Sequence, residues 1–130
     1  MELQLEAIGQ RVSAVELGYT ATIRMGSPTA FELQIEGKLT FRTPNGILLG
    51  APPNDYAGLS SELRSIIDSS VVRADASEVD GLIMEFDSGA AIIVPIDEKY
   101  ESWGIVGSNG YRVISTPGGE FAIWSSREGT

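Results

Sequence analysis

Phe31-Glu32-Leu33-Gln34-Ile35-Glu36-Gly37-Lys38-Leu39-Thr40-Phe41 carries apolar side chains at its odd positions, apart from Gly37, and polar ones at its even positions. Successive side chains of a strand point to opposite faces, so this alternation predicts one long half-buried strand over 31–41, kinked at the glycine. The same period recurs downstream. Leu82, Met84 and Phe86 alternate with Ile83, Glu85 and Asp87, and after Ser88-Gly89 the chain resumes as Ala90-Ala91-Ile92-Ile93-Val94. Asp87-Ser88-Gly89 suits a type I turn with Gly89 at the left-handed position, which would set Met84 beside Ile92 and Leu82 beside Val94 on the core face. Further strands are expected over 102–107, 111–116 and 120–124.

Two Asn-Gly dipeptides, Asn45-Gly46 and Asn109-Gly110, each lie between apolar runs. Both read as type I′ hairpin turns, since this dipeptide accepts positive φ at both central positions. Around them Val12 and Ala14 match Val72 and Ala74, Ile23 matches Ile83, and Phe31, Leu33 and Ile35 line up with Ile92, Val94 and Ile96. The matches suggest two tandem β units, an internal repeat over 9–49 and 70–115. Chance alignment of amphipathic hairpins is the rival reading.

Between these halves the period changes. Pro52-Pro53-Asn54-Asp55 is a breaker with a capping residue, and Leu59, Leu63, Ile66 and Ile67 recur at helical spacing. One amphipathic helix is expected over about 55–69, covering the face that carries Ile83, Ala91 and Ile93. The fold class is therefore α+β, mainly antiparallel β with about seven to nine strands and one helix between the halves. At 130 residues the chain fits a single domain with a core of its own, and residues 125–130 read as a frayed tail.

Composition narrows the chemistry. With neither cysteine nor histidine, disulfides, the usual zinc sites and the Ser-His-Asp and Cys-His arrangements are out of reach. No catalytic residue, metal ligand or cofactor is assigned, and the chain is not read as an enzyme. The acidic, alternating start Met1-Glu2-Leu3-Gln4-Leu5-Glu6 does not resemble a secretory signal, and no apolar run reaches the roughly 20 residues that span a bilayer. A cytoplasmic protein is the expectation. Net charge is −9 and unevenly placed: Asp75, Glu78, Asp80, Glu85, Asp87, Asp97, Glu98 and Glu101 face only Lys99. Such a field repels nucleic acid and anionic lipid and attracts cationic protein surface or metal ions; a merely solubilising surface is the rival reading.

"DGLIMEFDSGAAIIV" followed by "YESWGIVGSNGYRVISTPGGEFAIW" resembles the C-terminal half of an uncharacterised family of short acidic actinobacterial proteins. In that family a strand–turn–strand unit precedes Tyr-Glu-x-Trp and an ending like Pro-Gly-Gly-Glu-x-Ala-x-Trp. The resemblance is clearest over 71–124. It implies no activity and marks Tyr100, Glu101, Trp103, Pro117, Gly118, Gly119, Glu120 and Trp124 as matching positions.

Phosphate-cradling glycines lead from a strand into a helix, whereas Pro117-Gly118-Gly119 leads from one strand-like run into another and is followed by Glu120. It is read as a hairpin turn. Tyr100, Trp103 and Trp124 are either core aromatics or surface anchors, and Glu101 with Glu120 is either a carboxylate dyad or surface charge. Two function classes follow. The first is a non-catalytic interaction module, an immunity- or antitoxin-like acidic binder of a basic protein, contacting it through Glu85, Asp87, Asp97, Glu98, Glu101 and Trp103. The second is a small-ligand binder or carboxylate-dependent enzyme built on Glu101 and Glu120. A homodimer is left open.

Overall fold

The computed structural model of the chain describes residues 2–26 and 30–124, so the expected tail at 125–130 lies outside the described residues. Among the described residues twelve strands form two antiparallel sheets of six. In chain order they are β1 (Glu2–Gln4), β2 (Val12–Leu17), β3 (Ala21–Met25), β4 (Phe31–Ile35), β5 (Leu39–Arg42), β6 (Leu48–Ala51), β7 (Val71–Ser77), β8 (Gly81–Phe86), β9 (Ala91–Val94), β10 (Trp103–Gly107), β11 (Arg112–Ser115) and β12 (Phe121–Trp124). One sheet runs β1-β7-β8-β9-β5-β6 and the other β12-β11-β10-β4-β3-β2. Between them lies a single apolar core that includes Ile23, Leu33, Phe41, Met84, Ile92, Ile105 and Val113.

The 31–41 stretch is two strands. Its alternation holds throughout, with Phe31, Leu33, Ile35, Leu39 and Phe41 all buried, yet β4 pairs with β3 and β10 while β5 pairs with β6 and β9 in the opposite sheet. The cause is at Gly37. The N–H groups of Glu36 and Gly37 both donate to the Ser102 carbonyl, at 3.0 and 2.9 Å, and a Cβ on Gly37 would lie 2.9 Å from that of Ser102. The residue is glycine because another loop passes against its backbone, and the chain changes sheets there. This split, with several strands of only three to five residues, raises the count above the expected one.

The β8–β9 hairpin has the expected register, Met84 opposite Ile92 and Leu82 opposite Val94. Its turn geometry recurs where type I′ was expected. At Asn45-Gly46 and Asn109-Gly110 only the glycine has positive φ, +91° and +92°, as Gly89 does at +94°. The bonds agree: Gly46 N–H donates to Thr43 O and Thr43 N–H to Ile47 O, and Gly110 and Gly107 repeat the pattern with Gly107 and Tyr111. Each is a type I turn closed by a glycine bulge, in which asparagine keeps ordinary backbone angles. Pro117-Gly118-Gly119 joins the antiparallel β11 and β12, with Gly118 (φ 85°, ψ −3°) at values suited to the third position of a type II turn.

The helix is shorter than its apolar spacing suggests, a 3-10 turn over Ala57–Leu59 followed by α1 (Ser60–Arg64). Ile66 is still buried, but the chain turns out at Asp68, whose φ is +75°. Nor does α1 lie over Ile83, Ala91 and Ile93. It contacts β2, and the 3-10 turn contacts β6. Those are the edge strands on one side of the sandwich, so Leu59 and Leu63 plug the opening between the sheets. The Arg64 guanidinium ties it there through a 3.0 Å bond to Val15 O.

The strand orders are related by exchange of the two halves. β2-β3-β4 is a meander that crosses to the other sheet for β5-β6; β7-β8-β9 is a meander that crosses back for β10-β11. Swapping the groups converts the order β2-β3-β4-β10-β11 into β7-β8-β9-β5-β6. Register irregularities fall at Val12/Ala14 in β2 and at Val71/Arg73 in β7, one residue away from the sequence match to Val72 and Ala74. The isolated bridge Arg11–Ser70 joins the entries to the two meanders.

Candidate binding cleft

Antiparallel strands send alternate loops to opposite ends of a sandwich, and at the end that also carries the β7–β8 turn five segments meet: the β2–β3 turn, the β4–β5 crossover, the stretch after β6, the β9–β10 loop and the β11–β12 turn. They enclose a cleft of about 850 Å³ whose lining includes Tyr19, Glu36, Asn54, Asp97, Lys99, Tyr100, Glu101 and Pro117.

Local bonds hold these loops to one another. The Asp97 carboxylate accepts the N–H groups of Lys99 and Tyr100 at 2.8 and 3.0 Å, a turn that carries the Tyr100 ring outward. Its carbonyl accepts Gly118 N–H at 2.7 Å, docking the β11–β12 turn. Buried Tyr56 donates its hydroxyl to Gly37 O at 2.7 Å and accepts Asn54 N–H at 3.2 Å, and Asn54 Nδ2 reaches Tyr19 O at 2.9 Å. Burial pushes the Tyr56 hydroxyl above its ordinary pKa; the Asn54 N–H opposes this and nearby Glu36 adds to it. A neutral Tyr56 therefore remains the clamp at neutral pH. On this frame Tyr19 and Tyr100 stand 75% and 69% exposed, more than any packing role requires.

The electrostatics of this end differ from those of the sheets. On the open face of the β1 sheet, Glu85 lies between Arg42 (3.1 Å) and Arg73 (3.7 Å), and Arg73 also holds Asp75 at 2.7 Å. On the open face of the β12 sheet, Arg24 is shared by Glu16 and Glu32, and at the opposite end Arg11 meets Asp68. The arginines thus neutralise Glu16, Glu32, Asp75 and Glu85 on the sheet faces. Glu36 and Glu101 have no ion pair or side-chain hydrogen bond among the described residues, although Lys99 lines the same cleft.

The residues expected to contact a partner are consequently dispersed. Asp97, Glu98 and Glu101 belong to the cleft end. Asp87 sits in the β8–β9 turn at the far end, accepting Ser70 N–H at 3.0 Å, and Glu85 is mid-strand and ion-paired. Residues 75–101 are therefore not one acidic field. Trp103 is 1% exposed and packs on Phe121, ring centroids 6.2 Å apart, which removes it from any contact surface. Tyr100, three residues earlier, has left the strand and is the exposed aromatic of the pair; Trp124 is 49% exposed with Arg112 stacked over its ring. Glu120 is exposed and does not line the cleft with Glu101. Among the described residues no three carboxylates converge as a metal site would, and no helix is long and apolar enough to cross a membrane.

Sequence reasoning missed Tyr19, Glu36 and Asn54. A tyrosine at a Gly18-Tyr19-Thr20 turn tip is a local signal, but the partners of that turn come from four other loops.

Fold and cleft together define a two-sheet antiparallel β protein whose end loops form a tyrosine-bearing acidic surface. The chain belongs to the family of unknown function DUF6188, whose model matches residues 3–125 and so extends the resemblance over 71–124 to nearly the full length. No curated protein and no solved structure matches it.

Proposed function

We propose that this protein is a non-catalytic interaction module that binds a basic protein, in the manner of an immunity protein or antitoxin covering a cationic surface in the cytoplasm. The observation that carries this reading is the cleft in which Glu36 and Glu101, without an ion pair among the described residues, lie beside the exposed rings of Tyr19 and Tyr100. Carboxylates without internal partners attract a cation from outside, and a tyrosine face adds cation–π attraction of about 0.5–1 kcal/mol at an exposed site. The loops are bonded to one another beforehand, so little ordering opposes binding. Of the residues expected at the contact, Asp97, Glu98 and Glu101 fit this reading; Tyr100 takes the anchoring role expected of Trp103.

Affinity capture from native lysate tests it, with the wild-type chain and the double variant Glu36→Lys/Glu101→Lys as parallel baits. The wild type is expected to retain basic proteins that the variant and a high-salt wash both lose. Equal retention by the two baits would remove the cleft from the interaction.

A further inference from the structure

The cleft does not end at the loops. Glu36 and Glu101 also line a second depression, about 250 Å³, that continues along β10 on the open face of the sheet as far as Val106. Glu32, Gln34 and Glu36 of the β4 side form one wall, and Ile114 and Arg112 of β11 form the other. Gly104 is its floor.

That glycine is not demanded by the fold. Its φ is not in the left-handed region, and an added Cβ would meet only Ile114 Cγ1 at 3.5 Å and Val113 O at 3.7 Å, ordinary contacts. A glycine inside a strand forfeits packing and backbone entropy, and where neither sterics nor φ requires it, it leaves room for another chain to approach. At the topologically equivalent position of the other sheet stands Thr40, beside the Arg42–Glu85–Arg73 network that occupies that face.

We infer that the trough along β10 receives an extended, arginine- or lysine-bearing segment of the basic partner, one cationic head of which enters the Tyr19/Tyr100 cleft; this rests on the reading of the cleft as the binding site. From Glu101 to Val106 the trough measures about 17 Å at roughly 3.3 Å per residue, the span of about five extended residues. Alternate side chains of such a segment face the β4 wall, where Glu36 has no ion pair among the described residues and Glu32 is held by Arg24 and Gln34. A second copy of this chain is a poor occupant, because it carries the same −9 and, Arg112 apart, its sheet-face arginines are held in ion pairs.

The test is a titration of the 15N-labelled chain with two probes, arginine amide and a short peptide alternating arginine and alanine. Both are expected to move the amide resonances of Tyr19, Tyr100 and Glu101, and only the peptide those of Gly104 and Ile114. Gly104→Leu, which fills the trough, should weaken the peptide roughly tenfold and leave arginine amide unchanged. Gly104→Ala, which fits at van der Waals distance, should fold normally and fall between. If both probes bind the cleft but Gly104 stays silent and its variants bind as wild type, the trough inference is overturned and the cleft reading stands. If neither probe moves the cleft resonances, both are overturned.

Discussion

Gly81→Ala is expected to destabilise the fold by about 3 kcal/mol or more, the range of substitutions that strain the backbone and collide within a core. Gly81 opens β8 at φ +76°, and a Cβ there would lie 2.1 Å from Val94 O and 2.8 Å from Pro95 Cα. The obstacle is the backbone of the neighbouring β9, which rotamer changes cannot relieve. Gly46 is the informative comparison: its φ is +91°, but nothing lies within 4 Å of the would-be Cβ. Gly46→Ala should cost about 1–2 kcal/mol, the left-handed penalty alone. Denaturant unfolding of the two variants separates the contributions, and equal midpoints would mean that the β9 backbone yields without cost.

Trp103→Ala should lose about 3–5 kcal/mol, the usual cost of emptying a buried aromatic site. The indole is packed against Phe121 in the core, yet its Nε1–H has no partner among the described residues. An unsatisfied buried donor costs about 1–3 kcal/mol, so Trp103→Phe, which deletes the donor along with some volume, should lose far less than Trp103→Ala. The same pair of variants bears on function. Because Trp103 is buried, Trp103→Phe should leave partner binding unaltered, and a raised off-rate in that variant would put the indole back at the interface. Unfolding curves and dissociation rates of the two proteins provide both readouts.

Much of the core was legible because alternation and turn chemistry are local. The β8–β9 register followed from Asp87-Ser88-Gly89 and the parity of Leu82, Met84, Ile92 and Val94. The sheet change at Gly37 was not legible, since burial keeps the same parity on both sides of it: Ile35 faces the core from one sheet and Leu39 from the other. Period-two reasoning detects which residues face inward, not which sheet they face inward from. The helix was overextended for a similar reason. Ile66 and Ile67 continue the apolar spacing, and Ile66 is buried by the turn that follows α1 rather than by another helical turn.

The site was less legible than the fold. Charge density along the sequence placed Asp87 with Asp97 and Glu98, but β9 carries the chain from one end of the sandwich to the other between them. Neutralisation is likewise non-local: Glu85 is paired by Arg42, 43 residues away, which no window along the chain detects. Glu36 and Glu101, by contrast, meet in the cleft because Glu36 N–H and Gly37 N–H are both bound to Ser102 O.

The most direct measurement is the association rate of the captured basic partner at two salt concentrations, for the wild type, Glu36→Gln/Glu101→Gln and the far-end variant Asp87→Asn. Exposed charges act mainly on encounter, so the cleft variant is expected to associate roughly tenfold more slowly at low salt, with the difference shrinking as salt screens it. Asp87→Asn should match the wild type at both salt concentrations. An unchanged rate in the cleft variant, or an equal loss in Asp87→Asn, would contradict the assignment of binding to the Tyr19/Tyr100 cleft.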